Sequence, residues 1–220
     1  MRVLDGVKSD VEAIVEKYPN ARSAILPLLF LVQSVEGHVT EDGMRDVGQV
    51  LGLTPAEVLA VASFYTMLKQ TPQGEYLVSV CRNISCTHLG ARKVLRACEE
   101  RLGIAAGGTT PDGRFSLEAA ECLATCDGAP SLQINYEDFY KVTPDEVVEL
   151  IDRLDMGLGV TSVRGESVRT HKEISREVAL TGARHPVSSE SQEPVALGTE
   201  APASVPGTRP PVTGDGGTSV

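Results

Sequence analysis

The stretch EYLVSVCRNISCTHLG, residues 75–90, sets two cysteines, Cys81 and Cys86, where one pattern gives way to another. EYLVSV alternates and is rich in β-branched and aromatic residues, which reads as a strand over Glu75–Val80. THLGARKVLRACEERLG, residues 87–103, spaces its apolar residues as a helix does, with Gly103 as the stop. A second pair, Cys122 and Cys126, stands in ECLATC after another predicted strand, Phe115–Ala120. The pattern is C-x4-C, 35 intervening residues, then C-x3-C. Both pairs follow strands, so both fall on loops at one end of a sheet. Two loops with two thiols each can enclose a group that needs four thiolates.

Structural zinc favours short knuckles around one small ion. A 2Fe–2S cluster spans two irons, and each takes two thiolates. The wider, unequal spacings here favour the cluster and leave zinc open. Cys86 near a helix N-terminus gains thiolate character from the partial positive charge there, and Gly128 would let the backbone pass close to the site. The fifth cysteine, Cys98, shares a helical stripe with Ala91, Leu95 and Leu102 and reads as core. His88, two residues past Cys86, is a rival ligand, but four cysteines already complete a shell. A thioredoxin-type dithiol would need C-x-x-C, which neither pair has.

Residues 1–70 read as four short helices in a small bundle: about 11–18, 23–36, 40–51 and 55–69. Pro27 falls in the first or second turn of its helix, Thr40 can cap the third, and Thr54-Pro55-Ala56-Glu57 is a capping box for the fourth. Phe64 and Tyr65 read as domain packing, with partner contact as the alternative. Residues 71–160 give β-α-β-β-β-α. Strands are expected at 131–135 and 139–142, joined through Tyr136-Glu137-Asp138, and Thr143-Pro144-Asp145-Glu146 opens a last helix to about Leu154. The class is α+β, a helical bundle followed by a mixed-sheet domain. Residues 161–220 contain no Phe, Tyr or Trp and 6 of the chain's 13 prolines, which predicts a disordered tail with a short helix near Lys172–Ala179.

The 220-residue chain carries a net charge of −10, which argues against nucleic-acid binding. MRVLDGVKSD has no apolar signal-peptide core. The longest apolar run, Ala24 to Val32, is roughly half a membrane span. The cysteine usage suits a reducing compartment. No Gly-rich dinucleotide loop follows a strand, so NADH binding is not assigned to this chain.

With these pieces in order, YPNARSAILPLLFLVQ, GLTPAEVLAVASFYTM, C-x4-C, TTPDGRFSLEAAEC, C-x3-C-D-G-A-P and TPDEVVELI, the chain resembles the thioredoxin-like 2Fe–2S subunit of bacterial NADH:quinone oxidoreductase, respiratory complex I, over about residues 8–156. The resemblance implies a thioredoxin-like fold and one 2Fe–2S cluster held by Cys81, Cys86, Cys122 and Cys126. It implies packing against the subunit that carries FMN and oxidises NADH, with other peripheral-arm subunits nearby, on the cytoplasmic side of the inner membrane. Similar subunits in NAD-linked hydrogenases and formate dehydrogenases are the alternative host. A zinc-stapled interaction module is the alternative of another class. The second pair departs from the usual ECLGAC of the family: Ala124 and Thr125 replace Gly and Ala. If position 124 needs positive φ, Ala124 is strained there.

Overall fold

In the computed structural model, which describes residues 2–183, a helical lobe precedes the sheet. Its helices are α1 (Lys8–Glu16), α2 (Ile25–Glu36), α3 (Glu41–Leu51) and α4 (Pro55–Phe64). Pro27 is the third residue of α2, where its missing N–H is not needed. The Thr40 side chain accepts from the Gly43 N–H, and Thr54 and Glu57 close the expected capping box. Ile14, Leu28, Leu29, Leu31, Val32, Val47 and Val58 make the core of this lobe, all at most 1 % exposed. α3 lies so close to α2 that a Cβ on Gly43 would stand 2.3 Å from Val32 Cγ1.

α4 ends at Phe64, five residues before the expected Lys69. Tertiary hydrogen bonds outweigh helix propensity there. Tyr65 is extended, the Lys69 carbonyl accepts from Val39 N–H, and the Lys69 N–H donates to Gln33 Oε1.

The second lobe is built on β1 (Tyr76–Cys81), β2 (Phe115–Ala120), β3 (Leu132–Ile134) and β4 (Glu137–Phe139) in the order β2-β1-β3-β4. β1 is parallel to β2 and antiparallel to β3, and β3 is antiparallel to β4. Between β1 and β2 run α5 (Ile84–His88) and α6 (Ala91–Leu102), and after β4 comes α7 (Pro144–Asp155). The sequence suggested one helix over 87–103. The structure breaks it at Gly90, whose φ of 107° no ordinary side chain adopts easily. Val78, Val80, Leu117, Leu132 and Ile134 join Val94, Cys98, Val147 and Ile151 in one core. Arg101 on α6 binds Asp152 and Asp155 on α7.

The hairpin is tighter than the sequence suggested. Ile134 pairs with Glu137, so only Asn135 and Tyr136 turn, at φ 48° and 69°. Two consecutive left-handed residues are what a two-residue hairpin requires, and Asn tolerates that region best after Gly. Glu137 and Asp138 therefore belong to β4 rather than to the link, and both are buried.

The short helix expected near Lys172–Ala179 is present, but the disorder expected around it over 161–220 fails for the rest of residues 161–183. Thr161 bridges to Ser167, and α8 (His171–Thr181) follows behind a Thr170–Glu173 capping box. All six prolines of that stretch lie at 186 and beyond, so the pooled composition hid an ordinary amphipathic segment. Residues 184–220, the rest of the expected tail, lie outside the described residues. α8 packs on α2 in the first lobe. The fully buried Gln33 amide donates to Ser175 Oγ at 3.0 Å and to the Met67 carbonyl at 3.1 Å, and Ala179 enters the helical core.

His171, at the start of α8, is 1 % exposed, and neither ring nitrogen has a hydrogen-bond partner among the described residues. Burial first, then the nearby Lys69 ammonium, holds its imidazole at about 4 against the ordinary 6.5, with Glu118 opposing. The unfolded chain thus takes the proton more readily than the folded one. The stability this neutral ring supports is whole above pH 6.5 and drains away as the pH falls towards 4. Between pH 7 and pH 4 the wild type should lose about 2–3 kcal/mol relative to His171→Phe, read from paired urea unfolding curves. Equal losses in the two proteins would contradict the neutral buried ring.

Candidate metal centre

The parallel ladder ends with Cys81 opposite Ala120, and the Arg82 N–H donates to the Ala120 carbonyl. Both chains therefore leave the sheet side by side at the same end. After β1, Asn83 caps α5 by accepting the Ile84 N–H, and Cys86 is the third residue of that five-residue helix. After β2, the chain passes Cys122, takes a left-handed residue at Ala124 (φ 58°), and enters a 3-10 turn, Cys126–Gly128. The strain foreseen at position 124 is thus present, and the Ala124 N–H points to Cys122 Sγ at 3.4 Å. The Ala129–Pro130 peptide is cis. Ser131 then leads into β3, and its carbonyl accepts the Cys81 N–H.

The four thiols divide by exposure. Cys81 and Cys86 are buried, at 4 % and 2 %, whereas Cys122 and Cys126 are exposed. Cys81 and Cys86 interact with each other through their side chains. Burial raises the Cys81 pKa, although the backbone N–H groups of Asn83 and Leu123 both donate to its sulfur. Leu123 belongs to the second loop, so the two cysteine loops meet at the Cys81 sulfur. Burial also opposes ionisation of Cys86, but the Ser131 hydroxyl and N–H, with Cys81, outweigh it and leave that pKa lowered. Within this pair Cys86 ionises first.

Among the described residues no three His, Cys, Asp or Glu side chains stand together as a site for one metal ion. Two donors, Cys81 and Cys86, are buried and interact with each other, and two, Cys122 and Cys126, are exposed on the second loop. Amide N–H groups aim at three of the four sulfurs. This donor set fits a 2Fe–2S group, whose irons each take two thiolates and whose sulfurs accept such hydrogen bonds.

Cys98 lies fully buried on α6, its thiol pushed up to about 12 by burial, as a core residue should be. His88 is exposed at the last position of α5. Gly128 serves a close approach to the Tyr140 ring, whose nearest atom lies 2.3 Å from where a Cβ would stand. Phe64 and Tyr65 stack edge to face with centroids 5.1 Å apart and are 77 % and 44 % exposed, so they do not pack the domain. The sequence reading missed Ser131. A serine at a strand entrance carries no sign that its hydroxyl stands 3.5 Å from Cys86 Sγ.

A family model described as thioredoxin-like [2Fe-2S] ferredoxin matches residues 11–155. The chain is 42 % identical over 177 residues to an NADH-quinone oxidoreductase subunit of Mycobacterium tuberculosis, covering 80 % of this chain and 70 % of that one. It is 39 % identical over 141 residues to the NADH-quinone oxidoreductase subunit 2 of Thermus thermophilus, covering 63 % and 78 %. An NAD+-reducing [NiFe]-hydrogenase structure superposes with a TM-score of 0.53 at 23 % identity, over 60 % of this chain and 23 % of that one, a likeness of fold alone. By the family match and the identity to these relatives, the chain belongs to the thioredoxin-like [2Fe-2S] ferredoxin family.

Proposed function

We propose that this chain is the electron-transfer subunit of an NADH:quinone oxidoreductase, respiratory complex I, and that Cys81, Cys86, Cys122 and Cys126 hold its one 2Fe–2S cluster. The observation that carries this reading is the meeting of the two loops, with Cys81 in register with Ala120 and the Leu123 N–H donating to the Cys81 sulfur. The names of the relatives at 39 % and 42 % identity support the host complex. Of the alternative hosts, an NAD-linked hydrogenase has only a fold likeness behind it, and a formate dehydrogenase has no observation in its favour.

Bound on these thiolates, a 2Fe–2S cluster takes up and returns one electron at a time. The chain's own residues do the rest. Cys81 and Cys86 anchor the inner side against a packed core that excludes water. The N–H groups of Asn83, Leu123, Ala124 and Ser131 offset negative charge on the sulfurs. Cys122 and Cys126 face outward. Ile84, set between the first two cysteines, is 73 % exposed, and Leu89 beyond them is 61 % exposed. Bare apolar side chains on the rim of a redox site suit a protein partner. We assign that partner as the subunit that carries FMN and oxidises NADH, within a peripheral arm on the cytoplasmic side of the membrane. Among the described residues no single helix is long and apolar enough to cross a membrane.

Anaerobically purified protein should be brown, hold about two irons and two sulfides per chain, and give an EPR signal on reduction. Serine at any of the four ligand positions should lower or abolish the iron content, whereas Cys98→Ala should keep it. One zinc and no sulfide would overturn the reading and favour a zinc-stapled module. Ile84→Glu should leave iron, sulfide and spectrum intact while weakening co-purification with the flavin-bearing subunit by about tenfold or more, the cost of burying one unpaired charge. Unchanged assembly would place the docking surface elsewhere.

A further inference from the structure

Thr125 lies in the second cysteine loop, directly before Cys126. Its hydroxyl is engaged. Thr125 Oγ1 donates to Ser131 Oγ at 2.7 Å, and Ser131 Oγ stands 3.5 Å from Cys86 Sγ. The backbone holds both residues in place: the Gly128 N–H donates to the Thr125 carbonyl, and the Cys81 N–H to the Ser131 carbonyl. Ser131 is 2 % exposed, so bulk water does not compete for its hydroxyl.

A hydroxyl has one hydrogen and two lone pairs. By filling a lone pair of Ser131, Thr125 leaves the Ser131 hydrogen without that competitor and with the sulfur as its neighbour. A metal-bound thiolate has no hydrogen of its own and can only accept. Thr125 is also β-branched, so its own rotamer is restricted. The polarity of the chain is therefore fixed: Thr125 to Ser131 to Cys86.

We propose that Thr125 is a positioning residue that raises the reduction potential of the cluster by aiming the Ser131 hydroxyl at the Cys86 sulfur. This rests on the ligand set proposed above. A donor hydrogen bond to a sulfur stabilises whichever oxidation state is more negative, and one-electron reduction adds a negative charge. Alanine at position 125 would leave Ser131 free to rotate, and the reduced state would lose part of that support. Thr125 precedes the ligand Cys126 in the chain, but its hydroxyl reaches the Cys86 sulfur only by way of Ser131.

The test is an EPR-monitored redox titration of the full chain carrying its cluster, with iron and sulfide assayed on the same samples. Thr125→Ala should lower the midpoint, a threefold or larger fall in the reduction equilibrium, which is about 28 mV for a one-electron couple. Thr125→Ser, which keeps the hydroxyl, should restore the wild-type midpoint. Ser131→Ala should lower it at least as far, and adding Thr125→Ala to that background should change nothing more. A wild-type midpoint in Thr125→Ala would overturn the proposal. So would an equal Thr125→Ala shift with and without Ser131, or a shift that Thr125→Ser fails to rescue. Each of these failures in a protein that still holds iron and sulfide leaves the functional reading standing. Wild-type protein without iron and sulfide sinks both.

Discussion

Six register pairs, from Tyr76 with Phe115 to Cys81 with Ala120, bind β1 to β2 in parallel, and the whole site hangs on that direction. An antiparallel pairing would send the two following loops to opposite ends of the sheet and separate the cysteine pairs by the length of the strands. Parallel pairing requires a crossover, here α5 and α6, so the first cysteine pair has to lie at the very start of a strand-to-helix connection. The helices in turn need the apolar face of β1, β2 and β3 to pack on. The thiols are where they are because the core puts them there.

The opposite face of the sheet is of a different kind. Ser79 donates to Glu118, Glu118 binds Lys69 at 2.8 Å, and Gln133 donates to Asp138. These polar groups are paired, as burial requires. Two buried amides then join segments far apart in sequence. Gln33 ties α2 to α8 and to the chain after α4, while Asn135 accepts the Leu77 N–H and donates to the Glu75 and Arg169 carbonyls. Each leaves no donor or acceptor wasted across a junction where apolar packing alone would specify the register poorly.

The sequence announced what local chemistry controls. Strand β2 matches its expected residues, and the capping boxes at Thr54 and Thr143 mark their helices. Post-strand cysteines marked the candidate site. What stayed hidden depends on residues distant in the chain. The early end of α4 follows from bonds to Gln33 and Val39, and the burial of Glu137 and Asp138 from their sheet neighbours. The short helix near 172–179 was legible, but composition misled over the rest of 161–183, because a proline-rich stretch further on was averaged with it. Thr125 and Ser131 look like ordinary loop residues until the fold brings them beside Cys86.

α8 gives the molecule a closed order. The first lobe is completed by a helix encoded after the whole sheet, with Arg176 reaching back to Asp10 and Lys172 to the Val35 carbonyl. A nascent chain emerging from the ribosome therefore makes α1 to α4 early but cannot seal them. The face of α2 around Gln33 waits, wet, until residue 181 is out. Domains otherwise tend to fold in the order in which they are synthesised; here a helix made after the second lobe's sheet closes the first lobe.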